Sequence, residues 1–243
     1  CYTTSSNKKE TSSPEGADFI MSHILKKLKT LMHTYSHAWV LLYAFIYFPW
    51  FTYLERHVTD NYFVIHSIFD DYIPFCEYFI IPYLLWFAYI AVTLGYLFFN
   101  DKQGFYKASA IMFSGMTIFL IICTVFPNGL NLRPEVFTRD NFCIELVKRI
   151  YQTDTPTNVL PSLHVYNSIC CYIAISHCEK LQHSRLIQKG SLVLSILIIL
   201  STMFLKQHSV VDVVAACVMA YFMYSLIYAQ EGAKSPRLAR QVI

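Results

Sequence analysis

Charge is scarce in this sequence. Only 14% of its 243 residues are Asp, Glu, Lys or Arg, against about 25% in an ordinary soluble domain, while 55% are hydrophobic. That ratio cannot cover a water-exposed surface, so a soluble globule and a second soluble domain are both excluded. Glycine and proline are few, seven and nine, and scattered singly, which leaves no low-complexity or collagen-like tract, and no internal repeat is visible. A net charge of +3 gives no electrostatic reason for a nucleic-acid partner. The eight cysteines do not make a disulfide scaffold. Cys123, Cys170, Cys171, Cys178 and Cys217 fall inside or at the ends of apolar runs, where cysteine behaves as a small hydrophobe, and no spacing resembles a metal site. Cys76 and Cys143 are the one pair able to share a face outside the membrane.

What is present is apolar length. Runs cover 38–54, 78–99, 108–126, 165–178, 190–205 and 210–229, and a membrane-crossing helix takes about 20 residues. The expected fold is therefore all-α, a polytopic membrane bundle of about six transmembrane helices over residues 37–230. The fourth run is short and carries Asn167 and Ser168, but Pro161 suits a helix entry and an even count places both termini on one side. Residues 1–17 read as a polar, disordered tail without a signal-peptide core, and 231–243 as a cytoplasmic tail. Between tail and bundle, 18–36 space Phe19, Ile20, Ile24, Leu25, Leu28, Leu31 and Met32 against Lys26, Lys27 and Lys29. That pattern fits a helix lying on the membrane surface or an extension of the first span below it.

Orientation follows from Lys and Arg. With the N-terminus cytoplasmic, only Arg56, Arg133, Arg139, Lys148, Arg149 and Lys206 of the 19 basic residues face outward, leaving the other thirteen inside, as the positive-inside rule requires. Both termini are then cytoplasmic, and the segment 127–160 and the link around His208 face outward.

Those two outward places hold the reactive side chains. Asp212 lies one helical turn after His208 within an apolar run, and an unpaired acid at a helix centre costs about 2.5 to 3.5 kcal/mol. The i, i+4 spacing puts His208 on the same face, either as a structural ion pair or as a couple in which the acid fixes the imidazole tautomer and frees the other nitrogen as nucleophile or base. Upstream, Leu160-Pro161-Ser162-Leu163-His164 places a second histidine at a helix entry, beside a hydroxyl and the free N–H groups of a helix start. Asn131 and Arg133 precede it in Asn128-Gly129-Leu130-Asn131-Leu132-Arg133-Pro134, the arginine being a bidentate phosphate ligand in principle. Two histidines, an acid and a guanidinium on one membrane face compose a phosphoryl-transfer site. Trp50, Tyr53 and Tyr83, near span ends, read as interfacial anchors.

Together, Arg133-Pro134, Pro161-Ser162-Leu163-His164 and His208-x-x-x-Asp212 resemble the three-part signature of the type 2 phosphatidic acid phosphatase superfamily of membrane lipid phosphatases and phosphotransferases. The resemblance spans roughly 78–229. It implies that His208 is the nucleophile forming a phosphohistidine, that Asp212 orients it, and that His164 protonates the leaving group, with no metal and no cofactor. It also implies a lipid phosphate as substrate and the bilayer as partner, with the plasma membrane as the expected location and the active site on the extracytoplasmic side.

The departures from that signature carry information. Phe126 stands where the family usually has Lys, and Ser201-Thr202 where it usually has Ser-Arg. Pro-Ser-Leu-His without the third-motif Arg resembles the branch containing inositol phosphorylceramide synthase, which keeps a lipid phosphotransferase open beside a hydrolase. A catalytically silent lipid-binding protein is the third alternative. Lys206, one turn beyond Thr202, is either the substitute phosphate-binding cation, working with Arg133, Ser162 and Asn131, or a snorkelling interfacial lysine. Arg139, Lys148 and Arg149 are further sources of positive charge. Because the outward residues offer neither a carboxylate cluster nor a Cys/His ligand spacing, turnover is expected to survive excess EDTA. Loss of activity restored by Mg²⁺ or Mn²⁺ alone would contradict the histidine assignment.

Overall fold

The computed structural model describes residues 14–59 and 61–228. The polar tail read over 1–17 lies outside the described residues up to position 13, and 14–17 form the first turn of a helix; the tail over 231–243 also lies outside them. The chain divides into two units, Cys1–Trp39 and Val40–Ile243.

The first unit holds α1 (Pro14–Thr34). Proline suits a first helical position because its missing N–H has no intrahelical partner there in any case. Met21, Ile24, Leu25, Leu28 and Met32 are exposed along α1, and so are Lys26, Lys27 and Lys29. A 3₁₀ helix, Ser36–Tyr43, leads into the second unit.

The second unit contains α2 (Ala44–His57), α3 (Ile68–Tyr72), α4 (Ile80–Asn100), α5 (Lys102–Val125), α6 (Phe142–Thr153), α7 (Leu163–His177), α8 (Arg185–Phe204) and α9 (Val210–Ile227). Four helical stretches are long and apolar enough to cross a membrane: Glu77–Asn100, Lys102–Val125, Arg185–Phe204 and Val210–Ile227. The two other runs read as spans are helical but short. The first is divided between the 3₁₀ helix and the 14 residues of α2, which contain Pro49, and the fourth is the 15-residue α7.

α7 packs against α4, α5, α8 and α9, so the shortest and most polar of these helices is enclosed by the other four. Its apolar face joins Tyr89, Ile111, Met112, Ile198 and Ala216 through Val165, Tyr166, Cys170 and Cys171. Its serine hydroxyls are satisfied on the backbone of the same helix, as hydrocarbon surroundings demand. Ser168 Oγ donates to His164 O at 2.6 Å and Ser195 Oγ donates to Ser168 O at 3.1 Å. The α5–α7 approach depends on Gly115, because a Cβ there would lie 2.1 Å from the Tyr166 ring, whose hydroxyl donates to Ile111 O at 2.6 Å.

At one end of the bundle, two short strands, β1 (Phe63–Val64) and β2 (Asn128–Gly129), pair in parallel, and Gly129 also bridges Thr157. The crossing is close enough that a Cβ on Gly129 would lie 2.7 Å from the Tyr62 ring and 2.8 Å from Pro156 O. Asn128 Oδ1 accepts the N–H groups of Val159 and Leu160, each at 2.9 Å. These bonds tie the approach to α7 to the C-terminal end of α5. Between residues 127 and 160, α6 is an element not anticipated from the sequence. Cys76 and Cys143 are both free thiols.

The exposed positions Glu135 and Gln182 lie in segments that the charge distribution assigns to opposite sides of the membrane. A membrane-impermeant thiol reagent applied to intact cells should label a cysteine introduced at Glu135 and spare one at Gln182. The reverse pattern would invert the topology.

Candidate active site

Two helix starts meet at this end of the bundle. α9 begins with Ser209, whose Oγ accepts the Val211 N–H, and Asp212 Oδ2 accepts the Ser209 N–H at 2.9 Å, closing a capping box. A carboxylate is favoured here by the unpaired N–H groups and by the helix dipole. That placement explains how an acid comes to be fully buried at the edge of an apolar helix. Asp212 Oδ2 also lies 3.4 Å from His208 Nδ1, within ion-pair distance, while Oδ1 has no protein partner. α7 begins with Ser162, whose Oγ accepts the Val165 N–H at 3.4 Å. The Ser162 N–H donates to Asp212 O at 3.3 Å, joining the two starts directly.

This junction sets the rings of His164 and His208 with centroids 5.8 Å apart. That is too far for the rings to bond each other, and each remains available to a group between them. His164 is held by aromatic stacking, with Tyr83 at 4.5 Å and Trp86 at 4.2 Å between centroids, and its Nε2 is buried without a protein partner. Tyr83 is 2% exposed and donates its hydroxyl to Asp154 Oδ2 at 3.2 Å. It is therefore a wall of the site, which corrects its reading as an interfacial anchor.

Arg133 reaches the same end from the segment between α5 and α6. Its NH1 donates to Tyr151 O at 3.1 Å, and its NH2 to Asp154 O at 2.9 Å, Thr155 O at 3.1 Å and Gln207 Oε1 at 2.5 Å. The guanidinium also lies over the Tyr151 ring at 4.5 Å, a favourable cation–π arrangement. Burial pushes the Arg133 guanidinium below its ordinary pKa, opposed by the charge of Asp154. Burial raises the Asp154 carboxyl, opposed by Arg133 and His208. Arg133 Nε and Gln207 Nε2 are buried donors with no protein acceptor, in residues bonded to each other and, through Gln207, adjacent to His208. Unpaired buried donors cost free energy, and together they suit an anion.

The structure thus brings together His164, His208, Asp212, Arg133 and Ser162. It does not bring Lys206 into that group. Lys206 has a left-handed backbone, φ 54°, and its Nζ donates to Asp70 O at 2.7 Å. Burial lowers its pKa, opposed by Asp70 and Asp71. Asn131 is exposed, Arg139 is paired with Glu77 at 3.0 Å, and Lys148 with Glu145 at 2.8 Å. Gln207, Tyr83, Trp86 and Asp154 are the neighbours that sequence reasoning missed. Gln207 directly precedes a histidine already singled out, and Trp86 lies one turn beyond Tyr83. Nothing comparable marked Asp154. Among the described residues, no three His, Cys, Asp or Glu side chains gather as metal ligands.

Replacing Arg133 by Lys keeps a charge but not the fork that reaches three carbonyls and an amide. Arg133→Lys should lower stability by about 1.5–3 kcal/mol, the worth of a hydrogen bond to a charged group. It should also raise amide hydrogen exchange across 151–159, which unchanged exchange would contradict.

A family model described as PAP2 superfamily matches residues 108–236, more than half of the chain. No curated protein and no solved structure matches it.

Proposed function

The chain belongs to the PAP2 superfamily, a membership that supports phosphatase or phosphotransferase activity, and on that footing we propose that it hydrolyses a phosphomonoester or diphosphate of a lipid through a phosphohistidine. The observation that carries this reading is the arrangement of the two imidazoles. His208 turns Nδ1 to Asp212, which leaves Nε2 as the nucleophilic nitrogen, and His164 presents an unpartnered Nε2 from a ring 5.8 Å away.

His208 Nε2 attacks phosphorus, forming the N–P bond as the P–O bond to the leaving group breaks. His164 gives that oxygen its proton. In the second step His164 takes a proton from water, whose oxygen attacks phosphorus and releases His208. Asp212 holds the imidazole in one tautomer and stabilises its positive charge. Arg133 Nε and Gln207 Nε2 meet the non-bridging oxygens, with the Ser162 hydroxyl and the N–H groups at the start of α7. Catalysis of this kind rests on positioning and electrostatics. The four apolar helices support a membrane protein, and the basic-residue asymmetry favours the extracytoplasmic face for the site, with both termini inside. An alcohol in place of water at the second step would make the same site a lipid phosphotransferase.

Labelled lipid phosphate should leave an acid-labile phosphoenzyme, and His208→Ala should abolish both it and turnover. His164→Ala should slow turnover by about 10² to 10⁴, the usual worth of a general acid or base. Label reaching inorganic phosphate identifies the hydrolase, and label reaching a second lipid the transferase. Phosphate trapped on the His208→Ala protein would overturn the assignment.

A further inference from the structure

Asp70 is far in sequence from Arg133, His164 and His208, yet it is 2% exposed. It sits in α3, whose start is a capping box made by Ser67 and Asp70. Its carboxylate does more than cap α3. Oδ2 accepts the Ser67 N–H at 2.8 Å and the Ser209 hydroxyl at 2.6 Å, and Oδ1 accepts the Val210 N–H at 2.8 Å. Its backbone carbonyl accepts Lys206 Nζ. One residue from the loop between α2 and α4 therefore holds positions 206, 209 and 210, on both sides of Gln207 and His208.

The start of α9 thus meets two carboxylates. Asp212 belongs to the helix and Asp70 comes from outside it. The unpaired N–H groups of a helix start and a serine hydroxyl are strong claims on any nearby acid. Asp70 takes the Val210 N–H and the Ser209 hydroxyl, so Asp212 is called on only for the Ser209 N–H. Its Oδ2 remains at ion-pair distance from His208 Nδ1, and its Oδ1 makes no bond at all. Without Asp70, the freed donors would compete with His208 for Asp212, and the turn at Lys206 would lose its outer anchor.

We infer that Asp70 is a positioning residue for the reaction: by occupying the donors at the start of α9 and anchoring Lys206, it keeps Asp212 directed at His208. Lys206 is, on this inference, a peg for the His208 turn and not a phosphate ligand. The inference rests on the roles proposed above for His208 and Asp212.

The test is a double-mutant cycle on the membrane-inserted full chain. Asp70→Ala should lower kcat by about 10²-fold, the scale of a small misplacement of a reacting group, with KM within about twofold. In an Asp212→Asn background the same change should have little further effect, because coupled residues are not additive. A residue that only stabilises the fold would give additive losses, which would overturn the inference. Asp70→Asn, which keeps the shape and one acceptor oxygen, should recover part of the rate and covers the case in which the alanine variant does not insert. The second readout does not depend on turnover. In ring-¹⁵N-histidine protein, the His208 Nδ1 resonance should move in Asp70→Ala and Lys206→Met in the direction it moves in Asp212→Asn. If the resonance stays in place in the Asp70 variants, the inference fails whatever the kinetics. If it moves while wild-type protein turns over no lipid phosphate, the positioning stands and the proposed reaction falls.

Discussion

A buried carboxylate in an apolar bundle has few places to stand, and Asp212 occupies one of the best of them. At the first turn of α9 it receives a backbone N–H and the positive end of the helix, so its charge is tolerated without a full salt bridge. The backbone carbonyl of the same residue accepts the N–H of Ser162, which makes the start of α7 follow the start of α9. His164 is two residues into α7, and Tyr83 and Trp86 of α4 pack on its ring. Moving Asp212 would displace three helices. The geometry between the two histidines is a consequence of how one acid is accommodated.

Much of this could be read from residue order. The apolar runs located the four helices able to cross a membrane, and spacing drew attention to His208 and Asp212, because an Asp one turn after a His inside a hydrophobic stretch is expensive unless it is paired, while His164 stood out at a helix entry. The elements that escaped detection are those whose stability comes from elsewhere in the chain. α3 is five residues long, too short to form by itself, and exists because Asp70 bonds the start of α9. α6 is amphipathic, with Ile144 and Val147 buried and its cap Asn141 also donating to the buried Glu77 at 3.0 Å. Its signal was an Asn before apolar residues spaced by three, lost within a segment read as a loop. Lys206 was misplaced for a related reason. Helical periodicity carries it one turn past Thr202 on the same face, but α8 ends at Phe204, and a residue with positive φ turns the side chain to Asp70.

The missing cations of the signature look different once the bonds are counted. Thr202, where an Arg is usual, closes α8, its carbonyl accepting the N–H groups of both Gln207 and His208, at 2.9 and 3.1 Å. Gln207 then bonds Arg133, and in the proposed reaction a neutral amide and one guanidinium share the task of meeting the phosphoryl oxygens. With less positive charge near the phosphorus, more of the stabilisation must come from oriented dipoles, and these are effective only while the 151–155 carbonyls, Arg133 and Gln207 hold their places.

The contact between Gly115 and Tyr166 has a consequence for how this sequence can vary. The tyrosine ring fills the volume that any other residue at 115 would need, and its hydroxyl is anchored on the same helix at Ile111. Neither position can drift alone. A larger residue at 115 requires a smaller one at 166 in the same lineage, and the intermediate with both large would force α5 away from the helix that bears His164. The two sites should therefore exchange volume as a pair, although neither touches the reacting atoms.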